Sequence, residues 1–497
     1  MVDLITERFD CVLFDLGNTL IRQENPGTPY ETLSVQVLPG VQKLLDLLRG
    51  RVKMGIVSNT QTITAVEIKH KLATVGLDKY FDLIIATAEL GKHKPDPAPI
   101  SAAIQQLKTT AERTLYVGDV ETDMAATLAA GAHFSYTGPD AYAAVNQYLL
   151  HSSSAFDRAI NTNSNFSMRH YEAVQKEFDG LAKPVGSLGK LEKAAAKIAG
   201  ITHSHEPTVD PAAMALFGAD HGIASDDSVT PWPQAITGIM LEVMGENRAA
   251  VSVFADVADV FLQIINVGAL SDSQSAQVRN VRVASGTNDI RTQDAMSRAI
   301  TLAALEVGAQ TAERLIAGGS RALLTGEVGI GNTTPSAALI ACLTGSTARQ
   351  VTGRGSGIDD ETFERKVIIV QKLIEKTGGG KDPIQLLAQI GGIEIAALVG
   401  YILRATSLQI PVVLDGVITL AAATVAKIFN PGVAQFLIAG HSSFEPGSQI
   451  ALDHLDLEPL LNLELRLGEG TGALLALPII RASCQGLSRM ARIKDLL

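Results

Sequence analysis

Cysteine is scarce in this chain of 497 residues, and the three that occur lie far apart. Cys11, Cys342 and Cys484 form neither a CxxC pair nor an even disulfide framework, so they read as reduced thiols packed like small apolar side chains. Aromatic residues make up only 5%, with one tryptophan, Trp232. Basic residues are outnumbered by acidic ones, 41 to 52, giving a formal net charge of -11 with no basic cluster. That argues against a nucleic-acid partner, which needs a clustered basic face. Long apolar runs are missing too: Asp415, Lys427 and Glu394 interrupt such stretches before the ~18 residues of a membrane helix are reached. Met1 to Arg8 carries Asp3 and Glu7 instead of the basic start of a secretion signal. The expectation is a cytoplasmic protein with no membrane partner.

Glycine, by contrast, is plentiful: 44 residues in a chain that is 46% hydrophobic, a composition that suits a loop-rich α/β enzyme. The length exceeds one ordinary core, so two or three domains are expected. The break falls at the polar segment His151 to Ser167, rich in Ser and Asn, which reads as a linker over 151–167. It separates a domain over 1–150 from one over 168–497. Before it, strand-like runs (Cys11 to Phe14, Met54 to Val57, Leu83 to Ala86, Thr114 to Val117) alternate with helical patterns at Val41 to Leu48 and Pro99 to Leu107. After it, Met214 to Gly218, Phe261 to Val267, Ala322 to Leu324 and Pro411 to Leu414 alternate with alanine-rich helices. Both halves therefore predict α/β folds with parallel sheets, the second with additional helices.

In the first domain the opening strand runs into Asp15-Leu16-Gly17-Asn18-Thr19, placing a carboxylate where open α/β sheets put their chemistry. Val57-Ser58-Asn59, Lys94-Pro95-Asp96-Pro97 and Gly118-Asp119-Val120-Glu121-Thr122-Asp123 follow. In this order and spacing they resemble the four motifs of the haloacid-dehalogenase-like hydrolases, over roughly residues 9 to 140. The resemblance implies Asp15 as nucleophile, Ser58 and Lys94 as holders of the phosphoryl oxygens, and magnesium bound by Asp15, the Gly17 carbonyl and Asp119, with Asp123 supporting the metal shell. The chain departs from the pattern at Gly17, where the family's phosphatases carry a second Asp as general acid. A non-catalytic interaction or stability module is the alternative for this domain.

The second domain carries two glycine-rich phrases, each opening an apolar helix. Gly326 to Pro335 includes Glu327, Gly329, Gly331, Asn332, Thr333 and Thr334 ahead of a helix over Ser336 to Cys342. Backbone amides at a helix N-terminus attract anions, so this reads either as a phosphate cradle or as a plain tight turn. Arg466 to Ala473 encloses Glu469 between Gly468 and Gly470. Desolvated there, its carboxyl would rise toward a useful general base, whereas the bland reading is a solvated loop glutamate. Asp220-His221-Gly222, Gly353-Arg354-Gly355-Ser356-Gly357 and Leu414-Asp415-Gly416 sit at further strand ends. His221 has no second ligand at metal spacing, so a structural histidine is the plainer reading.

With Leu181 to Gly189, these phrases resemble nicotinate-nucleotide:dimethylbenzimidazole phosphoribosyltransferase, in that family's order and over nearly all of residues 171 to 481. The resemblance implies a cofactor-free transfer of phosphoribose from nicotinate mononucleotide to a benzimidazole-type base in cobalamin lower-ligand assembly, by a homodimer. Glu469 would take the base's proton and Glu327 would either assist it or position the ribose; Gly329, Gly331, Asn332, Thr333 and Thr334 would hold the 5′-phosphate; Gly353, Arg354 and Gly355 would approach the nucleotide, beside Gly468 and Gly470. The alternative is a nucleotide-binding sensor without turnover. Asn266 stands where the family pattern leads one to expect Asp, and Trp232 either packs or stacks on a ligand ring; both bear on which base is accepted.

Overall fold

A computed structural model describes residues 5, 9–22, 35–137, 140–145, 154–162, 164–355, 357–380 and 382–496. Two compact units result, Met1–Ser154 with Val281–Val283, and Ala155–Asn280 with Ala284–Leu497.

The first unit is built on five parallel strands, β1 (Cys11–Phe14), β2 (Lys53–Ser58), β3 (Leu83–Ala86), β4 (Thr114–Gly118) and β5 (His133–Tyr136), in the order β3-β2-β1-β4-β5. β1 and β4 are buried along their whole length, which is why they read as unbroken apolar runs instead of alternating ones. The strand order reverses between β1 and β4, which places a crevice at the carboxyl end of β1, where Asp15 stands.

The second unit carries six parallel strands, β6 (Ala212–Ala219), β7 (Phe261–Gly268), β8 (Val278–Asn280), β9 (Ala322–Val328), β10 (Val412–Leu414) and β11 (Leu437–Ala439), ordered β11-β10-β9-β6-β7-β8. Here the order reverses between β6 and β9, so the carboxyl ends of these two strands flank the switch point. Two α/β units were expected, and two are found. β9 differs from the sequence reading, which ended it at Leu324; it continues through Gly326, Glu327 and Val328 because β6 pairs with it along that whole length. Tertiary pairing overrides the weak strand preference of glycine.

The segment expected as a linker is corrected in part. Residues 151–153 and 163 lie outside the described ones, but Ala155–Asn161 is a helix belonging to the second unit. Its first amides, those of Ala155 and Phe156, donate to the two carboxylate oxygens of Glu306 at 2.9 and 2.8 Å, and the Phe156 ring packs edge-on against Phe429. Ser167 then caps the helix Met168–Asp179 by accepting from the His170 amide. Serine-rich composition looks the same in a linker and at helix caps.

Candidate active sites

In the first unit the sequence motifs converge. Asp15, Asp119 and Asp123 each offer a carboxylate oxygen within 4.8 Å of the others. Lys94 joins them: its ammonium lies 2.7 Å from Asp15 Oδ1 and 2.5 Å from Asp123 Oδ1, and donates to the Tyr116 hydroxyl at 2.7 Å. Burial works against the charge on Lys94, but Asp15 and Asp123 outweigh it and hold the ammonium above its ordinary range. Burial, then Asp15, raises Asp119 and Asp123. Asn59 fixes the lysine's backbone from both sides, its Oδ1 accepting from the Lys94 amide at 2.9 Å and its Nδ2 donating to the Lys94 carbonyl at 3.0 Å. Gly118 has to be glycine, because a Cβ there would overlap the Asp123 carboxylate. Ser58 is buried at the end of β2, and the Thr19 hydroxyl donates to Asp119. Three carboxylates, with Asp123 Oδ2 buried and unpartnered among the described residues, suit a hard divalent cation with oxygen ligands.

In the second unit, β9 delivers Glu327 and the turn before the helix Thr471–Arg489 delivers Glu469. The two phrases touch. A Cβ on Gly468 would lie 2.6 Å from Glu327 Oε1, and one on Gly326 would lie 3.0 Å from the Glu469 carbonyl. Gly468 also has φ +80°, so both space and backbone require glycine. Glu469 adopts φ +61°, a left-handed conformation uncommon for a residue with a Cβ. Its side chain is buried, and Oε2 has no hydrogen-bond partner among the described residues. Burial is the main reason its pKa rises to about 7; the Val251 amide opposes the rise and Asp415 adds to it. Glu327 is pushed to about 8, by burial first and then by Asp415 and Glu394, while Asn332 Nδ2 donates to its Oε2 at 2.5 Å.

Asp415 was quoted from the sequence without a role. Its carboxylate accepts from the amides of Gly470 at 3.0 Å, Gly472 at 2.7 Å and Ala473 at 3.3 Å, capping the helix that begins beside Glu469. Sequence reasoning missed Lys366 and Glu445 altogether. Lys366 is buried, its ammonium donating to Thr333 Oγ1 at 2.8 Å and to the Gly353 carbonyl at 3.2 Å. Burial lowers its pKa to about 8, with Glu445 opposing. Glu445 accepts from the Gly355 amide at 2.8 Å. The signal was available: in the helix Asp360–Lys376, Lys366 shares the buried stripe of Thr362, Val370 and Leu373, a place where a charge needs a purpose.

Gly329, Gly331, Asn332, Thr333 and Thr334 therefore gather with Gly353 and Gly355 around the N-terminus of the helix Thr333–Thr344, and Thr334 Oγ1 is buried without a partner among the described residues. Arg354 does not join them. Its guanidinium bonds the Ile358 carbonyl and Asp360 and lies over Phe363, half exposed. Ser356 lies outside the described residues. Asn266 is buried and occupied by Ser271, Asn280 and the Ala269 amide, so it shapes a loop. Trp232, left open between packing and stacking, is half exposed.

A desolvated carboxyl near neutrality, set against a helix N-terminus with a buried lysine, is equipment for group transfer from a phosphorylated substrate. Comparison with known proteins makes the class specific. A family model described as phosphoribosyltransferase matches residues 164–495, and one described as haloacid dehalogenase-like hydrolase matches residues 28–136. The nicotinate-nucleotide--dimethylbenzimidazole phosphoribosyltransferase of Salinispora tropica is 40% identical over 328 residues, 63% of this chain and 90% of that protein. The enzyme of the same name from Halalkalibacterium halodurans is 39% identical over 337 residues, 68% of this chain and 94% of that protein. The crystal structure of CobT from Thermus thermophilus aligns with a TM-score of 0.63 at 35% identity, covering 66% of this chain and 98% of that one. The chain belongs to this phosphoribosyltransferase family and carries a haloacid-dehalogenase-like domain ahead of it. Among the described residues, no helix is long and apolar enough to cross a membrane.

Proposed function

We propose that the second unit transfers the phosphoribosyl group of nicotinate mononucleotide to 5,6-dimethylbenzimidazole or a related base, giving α-ribazole 5′-phosphate and nicotinate. The observation that carries the reading is Glu469, buried, half unsatisfied and near neutrality beside Glu327. The nucleotide's 5′-phosphate meets the N-terminus of Thr333–Thr344 with Thr333, Asn332 and Lys366 at hand. A ring nitrogen of the base attacks the ribose carbon, and the breaking glycosidic bond returns its electron pair to the pyridinium nitrogen. That leaving group is already cationic, so the transfer asks for no cofactor. Glu469 accepts the proton from the base's other nitrogen, and Glu327 orients the ribose or assists. The active form is a homodimer in the cytoplasm.

For the first unit, the reading is a phosphatase acting on α-ribazole 5′-phosphate, the product of the second. Asp15 attacks the phosphoryl group to form an aspartyl phosphate as the bond to the riboside 5′-oxygen breaks, that oxygen taking a proton from water, and a second water then hydrolyses the aspartyl phosphate to free phosphate; Lys94 and Ser58 hold the phosphoryl oxygens. Asp15, Asp119 and Asp123 would hold magnesium, which supplies charge neutralisation for the phosphate. Gly17, in place of a second carboxylate, favours a non-catalytic module as the competing reading. Incubating the chain with nicotinate mononucleotide and dimethylbenzimidazole, with and without magnesium, tests both. Nicotinate release in both conditions with free phosphate only in the first supports the pair; no nicotinate in either, with any benzimidazole base, overturns the transferase reading.

A further inference from the structure

His221 and Glu394 take no part in the chemistry above, yet both are fully buried and joined by a 2.7 Å hydrogen bond through His221 Nε2. His221 follows β6, whereas Glu394 stands in the first turn of the helix Ile393–Ser407. A carboxyl group is retained in a dry interior only at a desolvation penalty, so a pair here calls for a reason beyond packing. The imidazole is gripped on two sides. A Cβ on Gly329 would lie 3.2 Å from both His221 Nε2 and Cδ2, and one on Gly392 would lie 2.5 Å from His221 Cε1 and 2.7 Å from Glu394 Oε2. The ring thus fills the space between the turn that follows Glu327 and the glycine that opens the Glu394 helix. Its own backbone is fastened, the His221 carbonyl accepting from Gln234 Nε2 and the Ala224 amide, both at 3.0 Å. The preceding Asp220 accepts from the Leu270 amide at 2.8 Å. A close-packed ring of this kind transmits displacement instead of absorbing it.

We propose that the His221–Glu394 pair is a positioning device for the transferase: it sets the turn at Gly329, and through that turn the placement of Glu327 and Asn332 toward the nucleotide. The proposal rests on the assignment of Gly329 to Asn332 to the nucleotide's phosphate. Neither residue touches substrate. Glu394 also acts on Glu327 by charge, behind burial and Asp415 and ahead of Glu469.

The test follows nicotinate release by the full chain against nicotinate mononucleotide concentration, between pH 6 and 9, for wild type, His221→Ala, His221→Gln, Glu394→Gln and Asn332→Ala. His221→Ala raises KM for the nucleotide about tenfold or more, as a loop misplaced by about an ångström does. His221→Gln, whose amide still donates to Glu394, recovers most of that loss. Glu394→Gln removes a negative charge near Glu327 and moves the limb of the pH profile near 8 to lower pH. A merely structural pair would lower the active fraction and leave KM where it is. Should His221→Ala not fold, Glu394→Gln decides by KM, and an unchanged KM overturns the proposal. If Asn332→Ala raises KM while the pair's variants do not, the positioning inference falls by itself; if Asn332→Ala leaves KM unchanged, the nucleotide-loop assignment falls with it.

Discussion

Replacing Glu469 by Gln separates what the carboxyl does for catalysis from what it does to the fold. The amide keeps the volume and left-handed turn but cannot take a proton. A positioned general base contributes about 10²- to 10⁴-fold, or roughly 3 to 5 kcal/mol in transition-state free energy. Glu469→Gln should lose kcat by that factor, with KM for nicotinate mononucleotide little changed. The wild-type profile should fall below pH 7, as the base protonates, and the variant's profile should lack that limb. Stability should move the other way. The folded pKa, about 7, lies above the usual 4.5, so between these values the unfolded chain holds fewer protons than the native one. The wild type therefore loses stability as pH rises through this window, by at most about 3 kcal/mol at full ionisation. Glu469→Gln removes that penalty, and its thermal midpoint should exceed the wild type's at pH 8 and match it near pH 4. Nicotinate release by chromatography and a pair of melting curves read both effects. A variant with more than a tenth of wild-type kcat, or one less stable than wild type at pH 8, refutes the reasoning.

Lys366→Met keeps most of the stem's packing but removes the ammonium beside Thr333 and Gly353, so KM for nicotinate mononucleotide should rise at least tenfold with a smaller change in kcat, read from the same initial rates. Asp415→Ala leaves the amides of Gly470, Gly472 and Ala473 without their acceptor and should destabilise the second unit by about 2–4 kcal/mol in denaturant titration, with activity falling in step because Glu469 sits at that cap. Asp15→Asn, or a chelator, should abolish phosphate release and leave nicotinate release within twofold of wild type; loss of both would show that the first unit's carboxylates serve something other than a phosphatase.

The two glycine-rich turns and the glutamates within them stood out in the sequence because their local demands leave few residue choices. Gly468 must clear Glu327 and adopt a left-handed backbone, and Glu469 between two glycines has no packing role, so the phrase announces itself in one dimension. The same holds for Asp15 at a strand end and for Asp119 and Asp123, four residues apart around the start of the helix Glu121–Ala129. Arg354 was expected to approach the nucleotide with its flanking glycines, and only the tertiary structure shows its guanidinium held by the Ile358 carbonyl and Asp360 over the Phe363 ring.

By itself the sequence determined the two α/β units, the strand runs that are buried on both faces, and the glycine turns at the strand ends, because each of these is set by residues within a few positions of one another. Tertiary structure alone decided the rest. Lys366, Glu445, Asp415 and Glu394 are ordinary charges in one dimension; they acquire roles when helices and strands far apart in sequence bury the first two beside Thr333 and Gly355, Asp415 beneath the turn at Gly470 and Glu394 against His221. The pKa values of Glu327 and Glu469 belong to that second kind, since water exclusion and the approach of like charges are properties of the packed site and of no single segment.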